Sequence, residues 1–186
     1  MEIGLSVKMI ACFTLILGIG YPMMICVVGQ VAFPREASGS IIKINGVARG
    51  SARIGQSFTK PQYFHGRPSA CEYSAMPSYG SNLATSSKLL REQMLKRENA
   101  IIAENGLDEN SKIPADLLTA SASGLDPNIT VEAAMIQVAR IAKARGRKAG
   151  DIKYLVKKQA NEEINLYGEK NVNVLKLNLL LDGEKY

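Results

Sequence analysis

The chain has 186 residues, a formal charge of +6, three cysteines and one histidine. Those counts exclude a disulfide-stapled domain and a zinc site of recognised Cys/His spacing. The charge is spread along the chain, and its two clusters, Arg145 to Lys148 and Lys157-Lys158, have no interleaved aromatics, so nucleic acid is not indicated as a partner.

From Met9 to Phe33 no residue is charged, and this run exceeds the roughly 20 residues needed to cross a hydrocarbon core of about 30 Å. A cleaved signal peptide is the alternative, but the run is much longer than a typical h-region. A cut after Ala32 would also put Gln30 where a small residue is needed. A lipid anchor is disfavoured because Ile25 precedes Cys26 and no apolar run precedes Cys12. The division expected is therefore a tail over 1–8, a transmembrane helix over 9–33 and one soluble domain over 34–186. Pro22 predicts a kink in mid-span. Gly18, Gly20 and Gly29 allow close packing on a partner helix, although glycine is common in such helices anyway. Only Lys8 and the amino terminus precede the span, whereas Arg35, Lys43, Arg49 and Arg53 follow it. That count favours a cytoplasmic domain, but long domains translocate largely regardless of charge.

After the span, Ile41, Ile42, Ile44 and Val47 predict a short strand with an Asn45-Gly46 turn, and a hairpin partner over 52–58. The stretch 60–87 has neither helical nor strand period and is rich in Pro, Gly, Ser, Tyr and Asn. Such loops are usually functional or disordered, and Tyr63, Phe64, Tyr73 and Tyr79 argue for order and for contacts with a partner. Helices follow over 87–105, with Gly106 as the stop, and over 130–145, with Val131, Met135, Val138 and Ala142 as the apolar stripe. A third helix is expected from a cap at Asp151 through Ile152, Leu155, Val156 and Gln159. The alternation of Leu175, Leu177, Leu179 and Leu181 predicts a half-buried strand over 172–181. Strands and helices without regular alternation point to an α+β fold.

The chemistry of ATP hydrolysis is missing: the sequence has no DKTGT-type phosphorylation motif and no GxxxxGK[ST] loop. A Ser-His-Asp or Cys-His catalytic set using His65 or Cys71 is unsupported by any further motif, and His65 reads as a loop hydrogen-bonding residue. A helix starting at Thr130 would present free amides and a positive dipole end to an anion, with Gly124 loosening the loop before it and Asp126 opposing phosphate. On that helix Gln137 lies about 120° from the apolar stripe and Arg140 nearly opposite it. Neither is then needed for the core, and Gln137→Ala is expected to stay within about 0.5 kcal/mol.

Distinctive words run the length of the chain: GQVAFP, GSARIGQSF, YFHGRPSA, SYGSNLATSSKLL, IPADLLTASASGLDPNIT with AAMIQVARIAKARG, and YGEKNVNVLKLNLLLD. In order and spacing they resemble the C subunit family of the Kdp potassium-transporting ATPase. The resemblance implies a non-catalytic accessory subunit in the bacterial inner membrane. Its partners would be a channel-like potassium-binding subunit, a P-type ATPase subunit and membrane lipid. It implies an N-terminus in the cytoplasm, a periplasmic domain and no cofactor of its own, with ATP acting through the complex. It also implies a catalytic-chaperone role that raises nucleotide affinity, and it points to Gln137 as the nucleotide contact. A solvated or partner-facing amide is the alternative for Gln137. A periplasmic domain cannot touch cytosolic ATP, so the chaperone effect would have to cross the membrane as coupling between states. A membrane-anchored extracytoplasmic binding module is the alternative function.

Overall fold

The computed structural model describes residues 2–162, 168 and 170–184, and the chain divides into two compact units at Ile41/Ile42. The last two residues of the expected domain, 185 and 186, lie outside the described residues.

The first unit is helical almost throughout. Helix α1 covers Glu2–Phe13, a π-helical stretch covers Thr14–Gly20, and α2 covers Tyr21–Ala32. Residues 2–8 therefore belong to the helix, and the expected separate tail is not observed. Pro22 explains the wider turn. It lacks an N–H, and its ring would press on the carbonyl four residues back, so the helix opens just before it and Tyr21 N–H donates to Ile16 O, five residues back. The run Ile3–Ala32 has 30 residues, its most apolar 18-residue stretch has a mean hydropathy of 2.2, and none of that stretch is buried. At about 1.5 Å per residue the run is about 45 Å long, enough to cross a membrane. The short turn α3, Pro34–Ala37, follows, and Ser40 N–H bonds back to Arg35 O.

The second unit opens on a hairpin of β1, Ile41–Ile44, and β2, Val47–Ser51. Asn45 (φ 51°) and Gly46 (φ 79°) are both left-handed, as a tight two-residue hairpin turn demands. The partner strand starts immediately after the turn, not at Ala52. Next come α4 (Lys88–Asn105), α5 (Ala115–Leu118), β3 (Asn128–Thr130), α6 (Val131–Arg145), α7 (Ala149–Glu162), β4 (Asn171–Asn173) and α8 (Val174–Leu181). Ser87 caps α4 and Thr130 caps α6, each accepting from the amide three residues on, and left-handed Gly106 and Gly146 end the two helices. Helix α7 begins at Ala149, so Asp151 sits in its first turn and is not its cap. Strands β3 and β4 pair antiparallel with Ile129 opposite Val172.

Helix α6 is the centre of this unit. Ala133, Ala134, Val138, Ile141 and Ala142 are buried on it against Phe64, Leu117, Ile152, Val156, Val172 and Leu177. A smaller cluster joins Ile42 and Ile44 of the hairpin to Leu175 and Leu179. The strand expected over 172–181 is thus corrected: only Asn171–Asn173 is extended, and Asn173 Oδ1 then caps α8 by accepting from Lys176 N–H at 3.1 Å. The leucine alternation has a helical cause. Leu175 and Leu179 form one i, i+4 stripe facing the hairpin, while Leu177 and Leu181 form another facing the main core. A helix clamped between two apolar clusters mimics a strand pattern.

Candidate functional site

The long loop after β2 is ordered by side chains that replace strand partners. Asn178 brackets Phe64, accepting from its N–H at 2.8 Å and donating to its carbonyl at 3.0 Å. Gln137 does the same for His65, accepting at 2.8 Å and donating at 3.1 Å. Arg140 donates to the carbonyls of Pro61 and Tyr63, and Arg145 to that of Gln62. Loop backbone that would otherwise be buried unpaired is thereby satisfied by α6 and α8.

Arg140 is the hub. It is 8% exposed. Its Nε bonds Asn105 Oδ1 at 3.0 Å and lies 3.7 Å from Glu104 Oε1, and its Nη2 bonds Gln137 Oε1 at 2.8 Å. His65 completes the cluster: Nε2 is 3.2 Å from Lys60 O and 3.5 Å from Arg140 Nη1, while Nδ1 is 3.4 Å from Glu104 Oε1. Burial first, and the Arg140 guanidinium second, hold the His65 ring below the ordinary histidine range, with Lys60 O and Glu104 opposing them. Two cavities flank this cluster. One of about 580 Å³ lies between the end of α4 and α6, with Glu104, Arg140 and Lys143 on its wall. The other, of about 210 Å³, is lined by His65, Arg97, Ile101 and Gln137.

A second set of bonds fixes the other end of the loop. Arg67 pairs with Asp126 at 2.9 Å, and Tyr73 Oη donates to Arg67 O at 2.6 Å. Burial, aided by the Asp126 carboxylate, pushes the Tyr73 phenol up to about 12. Gly124 is a tight contact and not a loosening element. It is left-handed (φ 69°), and a Cβ there would sit 2.6 Å from Cys71 Sγ and 2.7 Å from Tyr79 O.

The anion site expected at the start of α6 is closed. Val131 N–H donates to Lys170 O, Ala133 N–H to the Thr130 hydroxyl, and Thr130 N–H to Asp116 Oδ2, with Glu132 adding acid to the first turn. Gln137 is equally changed in meaning. It is 2% exposed, and both ends of its amide are engaged within the chain, so the expectation that it is dispensable for folding is overturned. The aromatic loop also differs from expectation as a partner surface. Phe64 is fully buried, Tyr63 packs on Phe58 and under Arg145 while donating to Asp182, and Tyr73 is tied to Arg67; Tyr79 alone of the four is exposed.

Sequence reasoning missed Glu104, Asn105 and Asn178, and its reading of Arg140 as not needed for the core is overturned. The available signal was compositional: Gln137 and Arg140 interrupt a stretch of α6 that is otherwise apolar or small, and Asn178 stands between leucines of α8.

Comparison with known proteins matches residues 3–183 to the family model described as K+-transporting ATPase, c chain (KdpC). Relatives named "Potassium-transporting ATPase KdpC subunit" include that of Caldanaerobacter subterraneus subsp. tengcongensis, 43% identical over 97% of this chain and 94% of the relative. That of Gemmatimonas aurantiaca is 45% identical over 96% and 90%, and that of Burkholderia ambifaria 47% over 91% and 90%. The described residues carry a helix apolar enough to span a membrane and an α+β domain organised around the Gln137–Arg140 clamp, and the match covers both units. The chain belongs to the family of K+-transporting ATPase c chains.

Proposed function

We propose that this chain is the non-catalytic, membrane-anchored accessory subunit of a high-affinity, ATP-driven potassium uptake complex. There it stabilises the assembly of the channel-like potassium-binding subunit with the P-type ATPase subunit. The observation that carries this reading is the family match over residues 3–183. The polar groups that a catalytic or nucleotide site would use support it. His65, Gln137 and Arg140 are engaged in holding the chain's own loop, and the first amides of α6 are taken by Lys170 O and the Thr130 cap. A catalytic-chaperone role then consists of coupling: by binding one state of its partners more tightly, the chain shifts nucleotide affinity in the ATPase subunit without touching ATP. In this reading the helix 3–32 lies in the bacterial inner membrane with its N-terminus in the cytoplasm, and the domain lies in the periplasm. Deletion of the gene tests the function: growth should fail at low external potassium and recover at high potassium. A growth defect independent of potassium would overturn the proposal.

A further inference from the structure

We propose that the exposed face and tip of the β1–β2 hairpin dock on the anionic phospholipid headgroups of the bilayer crossed by the chain's own apolar helix. The inference requires only that the helix spans a membrane and is independent of the partners assigned above.

The tether comes first. Ala32 ends the apolar run and Ile41 starts β1, so the intervening chain reaches at most about 30 Å when fully extended. It is shorter than that, because Pro34–Ala37 coils and Ser40 N–H is bonded back to Arg35 O. The hairpin is therefore confined near the membrane surface whatever the arrangement of the two units.

Its orientation is also constrained. Ile42 and Ile44 are buried against Leu175 and Leu179, so Ile41 and Lys43, which alternate with them, face outward. Val47, Ala48, Arg49, Arg53 and Ile54 are exposed as well. The combination of single aliphatic side chains with basic ones suits a headgroup boundary, where the aliphatic groups enter and the cations meet phosphate. Charge selects the ligand: between Pro34 and Ile54 the basic residues are Arg35, Lys43, Arg49 and Arg53, against Glu36 as the sole acid. Arg49 is paired with Glu184 and Arg53 is also engaged within the chain, so the test rests on Lys43. Each basic residue near an anionic surface contributes about a fivefold gain in association, which salt screens.

The test uses the full chain with Cys12 and Cys26 replaced by serine and a fluorophore on Val47→Cys. Buried Cys71 remains unmodified under native conditions. The protein is reconstituted in vesicles of phosphatidylcholine alone or mixed with phosphatidylglycerol, with a quencher carried on the lipid. Quenching should be severalfold stronger with phosphatidylglycerol and should fall in high salt. It should drop at least about fivefold in Lys43→Glu, which removes a positive charge and adds a negative one, while Lys43→Arg retains it. Circular dichroism of each variant confirms the fold. Equal quenching in the two lipids would overturn the proposal, as would indifference to Lys43→Glu. So would lipid quenching that is lost once the larger subunits are added, since a protein would then be the hairpin's cover.

Discussion

Replacing Gln137 by alanine separates two readings of the same residue. Treated as a surface amide, it would cost about 0.5 kcal/mol or less. In the structure, the change strands three groups: His65 N–H and Arg140 Nη2 lose an acceptor, and His65 C=O loses a donor. The bond to Ala133 O also goes, but that carbonyl remains in the helix ladder. Removing one partner of a buried hydrogen bond costs about 1–3 kcal/mol, and the His65 groups are only partly buried, so about 1 kcal/mol each gives a total near 3 kcal/mol. For a domain of this size that lowers Tm by about 10 °C. The assay is thermal unfolding of the full chain in detergent, followed by circular dichroism. Gln137→Met should be as damaging as alanine, because it restores volume but no hydrogen bond, whereas Gln137→Glu keeps the acceptor and should recover about half the loss. A Tm for Gln137→Ala within about 2 °C of the parent would refute the clamp. Saturable ATP binding by the full chain, lost in that variant at unchanged Tm, would instead restore Gln137 as a nucleotide contact.

Three further outcomes follow from the same geometry. The folded pKa of His65 is lowered, so the unfolded chain takes up a proton first as pH falls. The contribution of His65 to stability is complete above the unfolded value near 6.5 and is lost progressively below it. His65→Asn should flatten the Tm profile between about pH 7 and 5, and an unchanged slope would show that other groups set it. Gly124→Ala combines a left-handed φ with a Cβ 2.6 Å from Cys71 Sγ, so a loss of at least about 3 kcal/mol is expected, read as the urea midpoint in detergent; a shift under about 1 kcal/mol would contradict the packing described. Cys71 is buried and unsuitable for topology labelling, but Met76 is 90% exposed. Met76→Cys, in a chain with Cys12 and Cys26 replaced, should react with an impermeant maleimide on intact cells after outer-membrane permeabilisation, and protection until lysis would place the domain in the cytoplasm.

The features legible in the sequence are those governed by local chemistry. The Asn45-Gly46 turn, the helix start at Thr130 and the Gly106 stop each act within a few residues, and each stands where pattern places it. The two larger failures share one cause, a contact from far along the chain. Helix α8 looked like a strand because two separate clusters bury its two leucine stripes. Gln137 and Arg140 looked solvated because the face of α6 that carries them is covered by a loop some 75 residues earlier, bound through backbone groups that leave no side-chain pattern. The loop itself has no period because its partners are side-chain amides and guanidinia, and not a neighbouring strand.

The central claim, that this chain works as an accessory subunit and not alone, is tested most directly by what accompanies it out of the membrane. Affinity purification of the tagged full chain from its native host in mild detergent should recover two larger membrane proteins in fixed proportion, a P-type ATPase subunit and a channel-like potassium-binding subunit. Recovery of the chain by itself, or with proteins unrelated to potassium transport, under conditions that keep its domain folded would contradict the account.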